Sequence, residues 1–576
     1  MRLLVLLVAL AAGCGAAPAR PVRPPPPAPS PPAMDQAVCD RRDLERFRLA
    51  SLASARAMGA DRAALERWRP PAPVAARDRA TILAAVRRYL DLCGLGEAVS
   101  LTRSLVAFPT VSSEEPPASG PSFAAMRSFL ESWSRESGLA FRNVGANDAW
   151  EVTLGEGPRN VALVMHADVV PATDESTRAT GWTTPPFEAT IRGDRLYGRG
   201  AEDDKGPIAT ALVVLRTLAR AGLGPERGQI LAVLGTGEES DWEGMKRYAA
   251  SEPHARHVIS LDAEFPVVVA ESGFVAWRIG ARDDRRARPR STRAVAVGAN
   301  AGQFLTQVPG EASLTLEPRG RETVQALLER ARAAAASEAA RGGDFRAEAE
   351  LDADRVVVRA HGEAVHSSVA EEGSNALWLL SAIASRLDLE PNAIATILEV
   401  VHRELDGDHW GERLGLAYEH PAMGRLLVAP TMLRYEDGLA TLSINMRRPA
   451  GMTSPEFAEK LDGALARLRA SVNPAIEELP ERYVGEPALA DTSGPLVPTL
   501  LDVYRRHQRD PAATPISIRG GTYARLFPGA VSFGPSVPGN PYRGHAPDEY
   551  IELGELHALL GMLFEALVRL DTPDGG

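Results

Sequence analysis

This sequence has little cysteine, few aromatic residues and no excess of positive charge. Of its 576 residues, three are Cys and 6% are aromatic. Its 64 Lys and Arg face 75 Asp and Glu, which gives a formal net charge of −11. A protein that binds nucleic acid needs a basic surface, so we expect no nucleic-acid partner. With 45% hydrophobic residues the chain can still bury a sizeable core, as globular proteins do.

The apolar run at the start of the chain is too short to span a bilayer. Leu3 to Leu10 falls well below the roughly 20 residues that a membrane helix needs, and it follows a single Arg2. We therefore predict that residues 1–13 are an export signal. Ala11-Ala-Gly-Cys14 is similar to a bacterial lipoprotein cleavage box, which predicts lipidation of Cys14. An ordinary signal peptide with an incidental Cys is the alternative.

A tether and a helical extension are predicted to follow. Residues 14–33 are rich in Pro and Ala and have nothing to bury, which favours an extended spacer. The protein is thus expected in the cell envelope, facing the periplasm and touching the membrane only through its lipid. Residues 34–96 show helical periodicity and are predicted to pack on the rest of the chain. Since an exported chain meets an oxidising compartment, we predict a disulfide between Cys39 and Cys93, with two buried thiols as the alternative.

A glycine-punctuated turn, Leu196 to Gly206, carries the adjacent carboxylates Asp203 and Asp204. Glycine permits backbone angles that other residues avoid, and the apolar run Ile208 to Leu218 after the turn is typical of a buried helix. A carboxylate held just before such a helix can face a cleft. A solvated loop is the alternative, because Asp-Asp pairs are common in loops.

Three apolar segments of strand length end in residues that bind metals. The first begins at Asn160 and ends in His166 and Asp168, which the two-residue period of a strand places on one face. The second leads into Gly235-Thr-Gly-Glu-Glu239, and the third leads into Asp262. Sites in open α/β sheets gather at the carboxyl ends of strands, so these side chains predict a divalent-cation site.

A change of composition near residue 281 predicts a domain boundary. Residues 281–293 are rich in Arg and Asp, and alternating strands and helices from there to 485 indicate an independent α+β unit. The predicted strands are 312–316, 355–360 and 439–445, and the predicted helices are 322–335, 375–386 and 455–468, the last capped by Ser454. The body of the chain is thus divided into residues 97–280, 281–485 and 486–576.

Five strings occur in order along the chain: Met165-His-Ala-Asp168, Gly198-Arg-Gly-Ala-Glu-Asp-Asp-Lys-Gly206, Gly237-Glu-Glu239, Leu261-Asp-Ala-Glu-Phe-Pro266 and Gly544-His-Ala-Pro-Asp-Glu549. Together they resemble the di-zinc metallopeptidases, a family that includes bacterial Xaa-His and β-Ala-Xaa dipeptidases, carnosinases, aminoacylases and glutamate carboxypeptidases. The bacterial dipeptidases are the most similar branch. The resemblance implies an α/β fold: a zinc-aminopeptidase-like catalytic domain with a central mixed sheet flanked by helices, plus an inserted α+β lid domain.

The resemblance also implies two Zn²⁺ ions per subunit, for which Mn or Co could substitute because the same ligands suit them. Asp203 would bridge the ions, with His166 and Asp262 on one ion and Glu239 and His545 on the other. The peptide bond between Asp203 and Asp204 is expected to be cis.

Two further roles near the ions follow from the resemblance. Asp168 would orient the imidazole of His166 and fix its tautomer. Glu238 is not expected to bind the same ion as its neighbour Glu239, because adjacent side chains point apart. Glu238 would instead be the general base, which takes a proton from the attacking water and passes it to the leaving amine.

The lid is implied to supply substrate contacts. His366 would reach the oxyanion of the tetrahedral intermediate, and Arg447, beside Asn445, would clamp a substrate carboxylate. Gly520, Gly521 and Thr522, before a short helix, could add backbone donors, although a tight turn is the plainer interpretation. Thr306 stands where related dipeptidases tend to have Asn, which leaves part of the substrate anchoring open.

Hydrolysis of the amide bond of dipeptides or very short peptides is the function that this resemblance implies, with a short peptide as the partner. An N-acyl amino acid amidohydrolase or a carboxypeptidase would use the same metal centre and is the alternative within enzymes. A non-catalytic envelope lipoprotein that binds peptides is the alternative from another class. The oligomeric state is not readable from the sequence.

Overall fold

The computed structural model describes residue 48 and residues 61–172, 182–283, 294–340, 342 and 344–572. The predicted signal peptide, the predicted tether, the predicted lipidation site Cys14 and Cys39 lie outside these residues. Cys93 is disulfide-bonded, and its pairing with Cys39 stays a prediction. Within the described ranges, no helix combines the length and the hydropathy needed to cross a membrane.

The α-helices are numbered along the described part of the chain. They are α1 (Arg62–Arg67), α2 (Ala76–Tyr89), α3 (Leu95–Val106), α4 (Pro121–Ser137), α5 (Lys205–Ala221), α6 (Glu243–Ser251), α7 (Val324–Ala339), α8 (Ala376–Ser385), α9 (Ala393–Val400), α10 (Ser454–Ser471), α11 (Leu496–Gln508) and α12 (Leu553–Asp571). Short 3-10 turns cover Ser367–Glu372 and Tyr523–Leu526, and π turns cover Leu90–Gly94 and Val401–Leu405.

The strands are numbered in the same way. They are β1 (Ala140–Val144), β2 (Ala149–Leu154), β3 (Arg159–His166), β4 (Thr190–Arg192), β5 (Arg195–Tyr197), β6 (Gln229–Gly235), β7 (His257–Ser260), β8 (Ala263–Glu264), β9 (Val268–Glu271), β10 (Gly273–Arg282), β11 (Val295–Ala301), β12 (Glu311–Glu317), β13 (Arg346–Asp352), β14 (Arg355–His361), β15 (Glu419–His420), β16 (Gly424–Arg425), β17 (Leu427–Glu436), β18 (Leu439–Arg448), β19 (Glu477–Glu478), β20 (Tyr483–Val484), β21 (Ala488–Leu489), β22 (Ile516–Ile518), β23 (Val531–Ser532), β24 (Pro535–Ser536) and β25 (Tyr550–Glu552).

The first sheet is mixed, as predicted. Its order is β1-β2-β6-β3-β7-β23-β9-β21, and β22 also pairs with β9. The central strands β6, β3 and β7 are parallel, whereas β1 and β2 run antiparallel to their neighbours. Both faces are covered: Leu163 of β3 packs with Leu212 of α5 on one side, and Val164 packs with Trp242 on the other. A strand buried on both faces explains the continuous apolar run that ends at His166.

The described part of the N-terminal extension packs on this first sheet's helices. Leu65 and Ile82 belong to the same buried cluster as α5 and α12. The indole Nε1 of Trp68 donates to the carbonyl oxygen of Ala221 over 2.8 Å. The extension therefore completes the core on the helical side of the sheet.

The second sheet is antiparallel throughout, in the order β13-β14-β12-β11-β17-β18-β10-β19, with β20 also on β10. Helices α7 to α10 cover one of its faces, where Trp277 and Ile444 lie in the core. The opposite face carries Phe274, Asn445 and Arg447, in the alternation that a strand requires. This is the α+β unit that the sequence predicts.

The change from one sheet to the other comes before the composition shift at residue 281. Strand β10 begins at Gly273 and pairs with β18 over its whole length, so it already belongs to the second sheet. The core-facing residues of β10 are apolar like those of the preceding strands, so the sequence gives no sign that β10 belongs to the second sheet. On the return, β20 is the last strand of the second sheet and β21 joins the first. The exact domain boundaries stay predictions.

Two local features concern a turn and a helix cap. Strands β4 and β5 form a hairpin that turns at Gly193-Asp194, and Gly193 takes a positive φ of 63°. The predicted cap of α10 is wrong by one residue. Thr453, not Ser454, caps this helix, because Glu456 lies three residues later and closes a capping box with it.

Candidate metal centre

The carboxyl ends of β3, β6 and β7 meet at one edge of the first sheet. His166 is the last residue of β3, and Glu238 and Glu239 follow β6. Asp262 follows β7. Ligand atoms of His166, Glu238 and Asp262 lie within 4.8 Å of one another, and those of His166, Asp203 and Glu239 do so as well. The strand order thus brings together side chains that are far apart in the chain.

Asp203 lies between two imidazoles. Its Oδ1 is 2.7 Å from Nε2 of His166, and its Oδ2 is 3.2 Å from Nε2 of His545. His545 in turn lies 2.7 Å from Oε1 of Glu239, and His166 lies 3.7 Å from Oδ1 of Asp262. This is the grouping that the resemblance implies for two ions; that these residues bind ions stays a prediction.

The turn before α5 has the predicted geometry. The Asp203–Asp204 peptide bond is cis, which confirms the expectation. Asp204 accepts a hydrogen bond from the backbone N–H of His166 over 3.2 Å, so it ties the turn to the end of β3. Tyr542, which the sequence analysis missed, donates its hydroxyl to Oδ2 of Asp203 over 2.6 Å. Its place three residues before His545 was the available signal.

Carboxylates outnumber imidazoles at this edge. Burial and the hydrogen bonds and charges of the two imidazoles act in opposite directions on Asp203, and the imidazoles hold its pKa well below the ordinary value. Burial raises the pKa of Asp262 to about 7, despite His166. Burial also raises the pKa of Glu238, and the charge of Asp262 raises it further. Asp203, Glu238, Glu239 and Asp262 lie around only two imidazoles, so their negative charges repel one another.

The imidazoles respond in the opposite sense. Burial lowers the pKa of His545, but Glu239 and Asp203 raise it to about 10. Burial likewise lowers the pKa of His166, but the negative charges of Asp262 and Asp203 hold it well above its ordinary value. Protons on these rings balance part of the negative charge, which is the role that cations would take over.

Several buried atoms at this edge have no hydrogen-bond partner among the described residues. They are both carboxylate oxygens of Glu238, Oδ2 of Asp262 and Oδ1 of Asp204. A buried charged oxygen without a partner is costly, so it signals a missing group. Carboxylate oxygens and imidazole nitrogens around a shared Asp203 are suitable ligands for a pair of divalent cations. The residues therefore fit the metals that the resemblance implies.

Asp168 acts on its neighbours through both its backbone and its side chain. Nδ1 of His166 donates to the carbonyl oxygen of Asp168 over 3.0 Å, and the carboxylate Oδ1 is farther away at 3.5 Å. With the proton on Nδ1, Nε2 keeps a lone pair; this atom faces Asp203 and is the one that could bind a cation. The carboxylate accepts from the backbone N–H groups of Glu238 and Glu239 over 3.1 and 3.0 Å and from the hydroxyl of Ser112 over 2.7 Å. Asp168 thus orients the loop after β6 as well as the imidazole.

Glu238 is fully buried, and one of its carboxylate oxygens lies within 4.8 Å of ligand atoms of His166 and Asp262. Its backbone carbonyl accepts a 2.6 Å hydrogen bond from the indole Nε1 of Trp242. Trp242 has a positive φ of 62°, which is unusual for a bulky residue. A strained residue that fixes the backbone of Glu238 is consistent with a functional site.

Glu549, which the sequence analysis quoted without a role, holds the Asp203 turn. Strand β25 pairs with β5, which places Glu549 next to the start of the turn. Its carboxylate accepts from the backbone N–H groups of Gly200, Glu202 and Asp203 over 3.0, 3.0 and 3.1 Å. Arg199 adds an ion pair at 2.7 Å. The acidic residue that ends the last of the five strings was the signal for this contact.

His366 lies on the second domain and presents a free donor. Its Nδ1 accepts from the backbone N–H of Ser368 over 3.3 Å and lies 2.7 Å from the Ser368 hydroxyl. The proton of the neutral ring is therefore on Nε2, which is buried without a partner among the described residues. Burial lowers the pKa of His366, and the charges of Arg447 and His545 lower it further. The neutral ring can donate from Nε2.

Arg447 is buried and held mainly by neutral groups. It donates to Oδ1 of Asn445, to the carbonyl oxygen of Arg519 and to the hydroxyl of Ser367 over 3.2, 3.2 and 3.0 Å. Its guanidinium carbon lies 5.0 Å from the centre of the Phe274 ring. Arginine has five N–H donors, and these three bonds leave some of them for a substrate. Asn445 also donates to the carbonyl oxygen of Val275, so its amide positions Arg447.

The predicted role of Thr522 as a free donor does not match its contacts. Its backbone N–H and hydroxyl both donate to the carboxylate of Glu271, over 3.0 and 2.7 Å. The hydroxyl also caps the 3-10 turn by accepting from the N–H of Ala524. Thr522 therefore caps the turn, and Glu271 accepts the hydrogen bonds from its N–H and its hydroxyl. Gly520 and Gly521 precede this cap, and their contribution to substrate binding stays a prediction.

The two sheets, and the carboxylate–imidazole cluster at the edge of the first, define a metallopeptidase with an α/β catalytic domain and an inserted α+β domain. The chain belongs to peptidase family M20/M25/M40, whose model matches residues 162–569. This confirms the resemblance that the five strings indicated.

Individual relatives agree with the family. The chain is 31% identical to YtjP of Bacillus subtilis (strain 168) over 450 residues, which cover 78% of this chain and 90% of YtjP. It is 31% identical to the β-Ala-Xaa dipeptidase of Lactobacillus delbrueckii subsp. lactis over 509 residues, which cover 85% of this chain and 97% of the relative. The crystal structure of human carnosine dipeptidase 1 shares the fold, with a TM-score of 0.50 and 14% identity over 87% of this chain and 100% of that one.

Proposed function

We propose that this chain hydrolyses the peptide bond of dipeptides and very short peptides with two divalent cations, Zn²⁺ in the first place. The position of Asp203 carries the proposal, because each of its carboxylate oxygens faces a different imidazole. His166 and Asp262 would hold one cation, and Glu239 and His545 the other. The chain matches the β-Ala-Xaa dipeptidase over 97% of that relative's length, which supports dipeptides as the substrate class.

The residues around the cations have separate tasks in this proposal. A pair of bound divalent cations supplies Lewis acidity and lowers the pKa of the attacking water. Glu238 takes a proton from that water and delivers it to the leaving amine, since its carboxylate is buried at this edge and accepts no hydrogen bond from the part of the chain that the structure describes. Asp168 holds the backbone of Glu238 in place while it does so.

The second domain would act on the other side of the scissile bond. The N–H at Nε2 of His366 donates to the oxygen on which negative charge develops. Arg447 binds the carboxylate of the substrate through the N–H groups that its three protein contacts leave over. Because one end of the substrate is held by its carboxylate and the reacting bond lies at the cations, only short peptides fit between them.

A substrate panel tests this function. Purified protein loaded with Zn²⁺, Mn²⁺ or Co²⁺ is incubated with dipeptides, tripeptides and N-acetyl amino acids, and released amino acids are quantified. We expect release from dipeptides and little from N-acetyl amino acids. Release from N-acetyl amino acids alone would replace the proposal with an amidohydrolase. Release of a C-terminal residue from longer peptides would replace it with a carboxypeptidase.

We also propose that the chain is exported and anchored by a lipid on Cys14. The short apolar run before Cys14 and the Pro-rich segment after it support this, and the disulfide at Cys93 fits an oxidising compartment. Cells that express the full chain are labelled with an alkyne fatty acid. We expect label on the wild type and none on Cys14→Ala. Equal labelling of both would refute the anchor.

A further inference from the structure

Arg519 reaches from the first domain to the turn that follows His366. Its Nη1 donates to the carbonyl oxygen of Ser368 over 3.0 Å and forms an ion pair with the carboxylate of Glu371. Both partners belong to the 3-10 turn Ser367–Glu372 of the second domain. Arg519 is 2% exposed, so this contact lies inside the interface between the domains.

A second contact crosses the same interface in the opposite direction. Arg447 of the second domain donates to the backbone carbonyl of Arg519, and its other amino group donates to the hydroxyl of Ser367. Arg447 and Arg519 therefore both donate hydrogen bonds to the start of the turn Ser367–Glu372. Ser368, whose carbonyl Arg519 holds, is also the residue that binds Nδ1 of His366. Arg519 thus contacts the residue that fixes the imidazole of His366.

The Arg519–Glu371 ion pair is not expected to contribute much to the free energy of unfolding. Nε and Nη2 of Arg519 and Oε2 of Glu371 are buried without a hydrogen-bond partner among the described residues. An ion pair between a buried arginine and a carboxylate that is only 20% exposed, with such unsatisfied atoms, recovers little of the cost of removing charge from water. Separation of the domains would return both groups to water. A contact of this kind suits a closure that must be reversed in each catalytic cycle.

We propose that Arg519 and Glu371 form a latch that closes the second domain over the metal centre and sets the position of His366. Arg519 is a positioning residue in this role, since it acts through Ser368 and Glu371. The latch deepens the proposed function and rests on it for the role of His366. The contact itself can be tested without any substrate.

Hydrogen–deuterium exchange tests the latch on the metal-loaded, full-length protein. Glu371→Gln removes the charge and keeps the shape, and Glu372→Gln is the matched control, because Glu372 is its exposed neighbour in the same turn. We expect exchange of a peptide spanning residues 366–373 to be at least fivefold faster in Glu371→Gln than in the wild type, and unchanged in Glu372→Gln. Equal exchange in wild type and Glu371→Gln would overturn the latch.

A charge reversal guards against a variant that is merely damaged. Arg519→Glu and Glu371→Arg are each expected to speed exchange at residues 366–373, whereas the double variant restores the ion pair and slows exchange toward the wild-type rate. If each single substitution merely damaged the structure, the two effects on the exchange rate would add in the double variant instead of cancelling. Faster exchange in the double variant than in either single variant would therefore also overturn the latch.

Kinetics connect the latch to His366. We expect Glu371→Gln to lower kcat about tenfold with less than a threefold change in KM and with unchanged metal content, because closure follows substrate binding. The double variant should recover kcat together with slow exchange. If the wild type cleaves none of the panel peptides, the proposed function fails, while the exchange experiment still decides the latch. Wild-type kcat in Glu371→Gln would refute its link to His366.

Discussion

Glu202 and Glu549 each bind the backbone of the loop that the other belongs to. The carboxylate of Glu549 holds the turn that carries Asp203, and Glu202, inside that turn, accepts from the N–H groups of Arg543 and Gly544 over 2.7 and 2.9 Å. Gly544 directly precedes His545. Two distant segments are thus joined by reciprocal carboxylate contacts, which hold Asp203 and His545 close together.

Replacement of the Glu202 carboxyl group by an amide should weaken cation binding. One oxygen of Glu202 accepts from the Ser536 hydroxyl and the other from the N–H groups of Arg543 and Gly544, so the single oxygen of Glu202→Gln cannot serve both sets of donors. We expect the affinity for Zn²⁺ to fall about 10- to 100-fold, as is usual when a group behind a ligand is changed. Competition with a fluorescent zinc chelator measures this affinity. Glu136→Gln, an exposed helical glutamate, is the control, and equal affinities in both variants would contradict the prediction.

Glu238→Gln should separate catalysis from metal binding. The variant keeps all five predicted ligands but cannot accept a proton, so turnover should fall by roughly 10²- to 10⁴-fold. Metal content, measured by inductively coupled plasma mass spectrometry, should stay at the wild-type value. Glu243→Gln, on the exposed side of α6, should behave as wild type. Wild-type turnover in Glu238→Gln would contradict the role of Glu238 as general base. Loss of metal from this variant would show that Glu238 is a metal ligand.

The part of the site that lies at strand ends could be predicted from the sequence. His166, Glu239 and Asp262 follow apolar runs, and the parallel order of three central strands brings them to one edge. Asp203 and His545 needed the resemblance, because nothing in local periodicity says that a turn and a late loop will meet. The fold class followed from the same runs and from the resemblance.

Contacts that depend on loop conformation could not be predicted. Glu549 binds three backbone N–H groups, and which backbone groups point inward depends on the folded turn rather than on residue type. The donors of Thr522 go to Glu271, a residue distant in sequence. The early start of β10 at Gly273 was hidden because apolar residues precede and follow it. Tertiary partners decided each of these cases.

Removal of cations should lower the stability of the protein. Without them, buried carboxylates at the sheet edge repel one another. Burial raises the pKa of Asp262 to about 7, and the negative charge of Asp203 contributes to this rise. At a free cation concentration about 100 times Kd, binding should add ~2.7 kcal/mol to the free energy of unfolding. Thermal denaturation with EDTA, and then with Zn²⁺ restored, measures the difference. Asp203→Asn should lose most of the Zn²⁺-dependent rise in Tm, and an undiminished rise would contradict the shared role of Asp203.

A pH-dependent contribution to stability should come from a contact far from the metal centre. Glu565 on α12 lies 2.9 Å from Nε2 of His507 on α11 and also pairs with Arg506. The hydrogen bond of His507 lowers the pKa of Glu565 most, with partial burial opposing it and the charges of Arg506, His507 and Arg87 assisting.

A lowered carboxyl pKa gives stability that is fully present above the unfolded value, about 4.3, and is lost as the pH falls through the folded value. Glu565→Gln should therefore lower the free energy of unfolding by about 1 kcal/mol at pH 7, a magnitude typical of partly exposed pairs. The difference from wild type should shrink as the pH falls below about 4.3, and thermal denaturation in EDTA at both pH values checks this. Glu459→Gln, exposed on α10, should show no such trend, and a deficit in Glu565→Gln that is equal at both pH values would contradict the prediction.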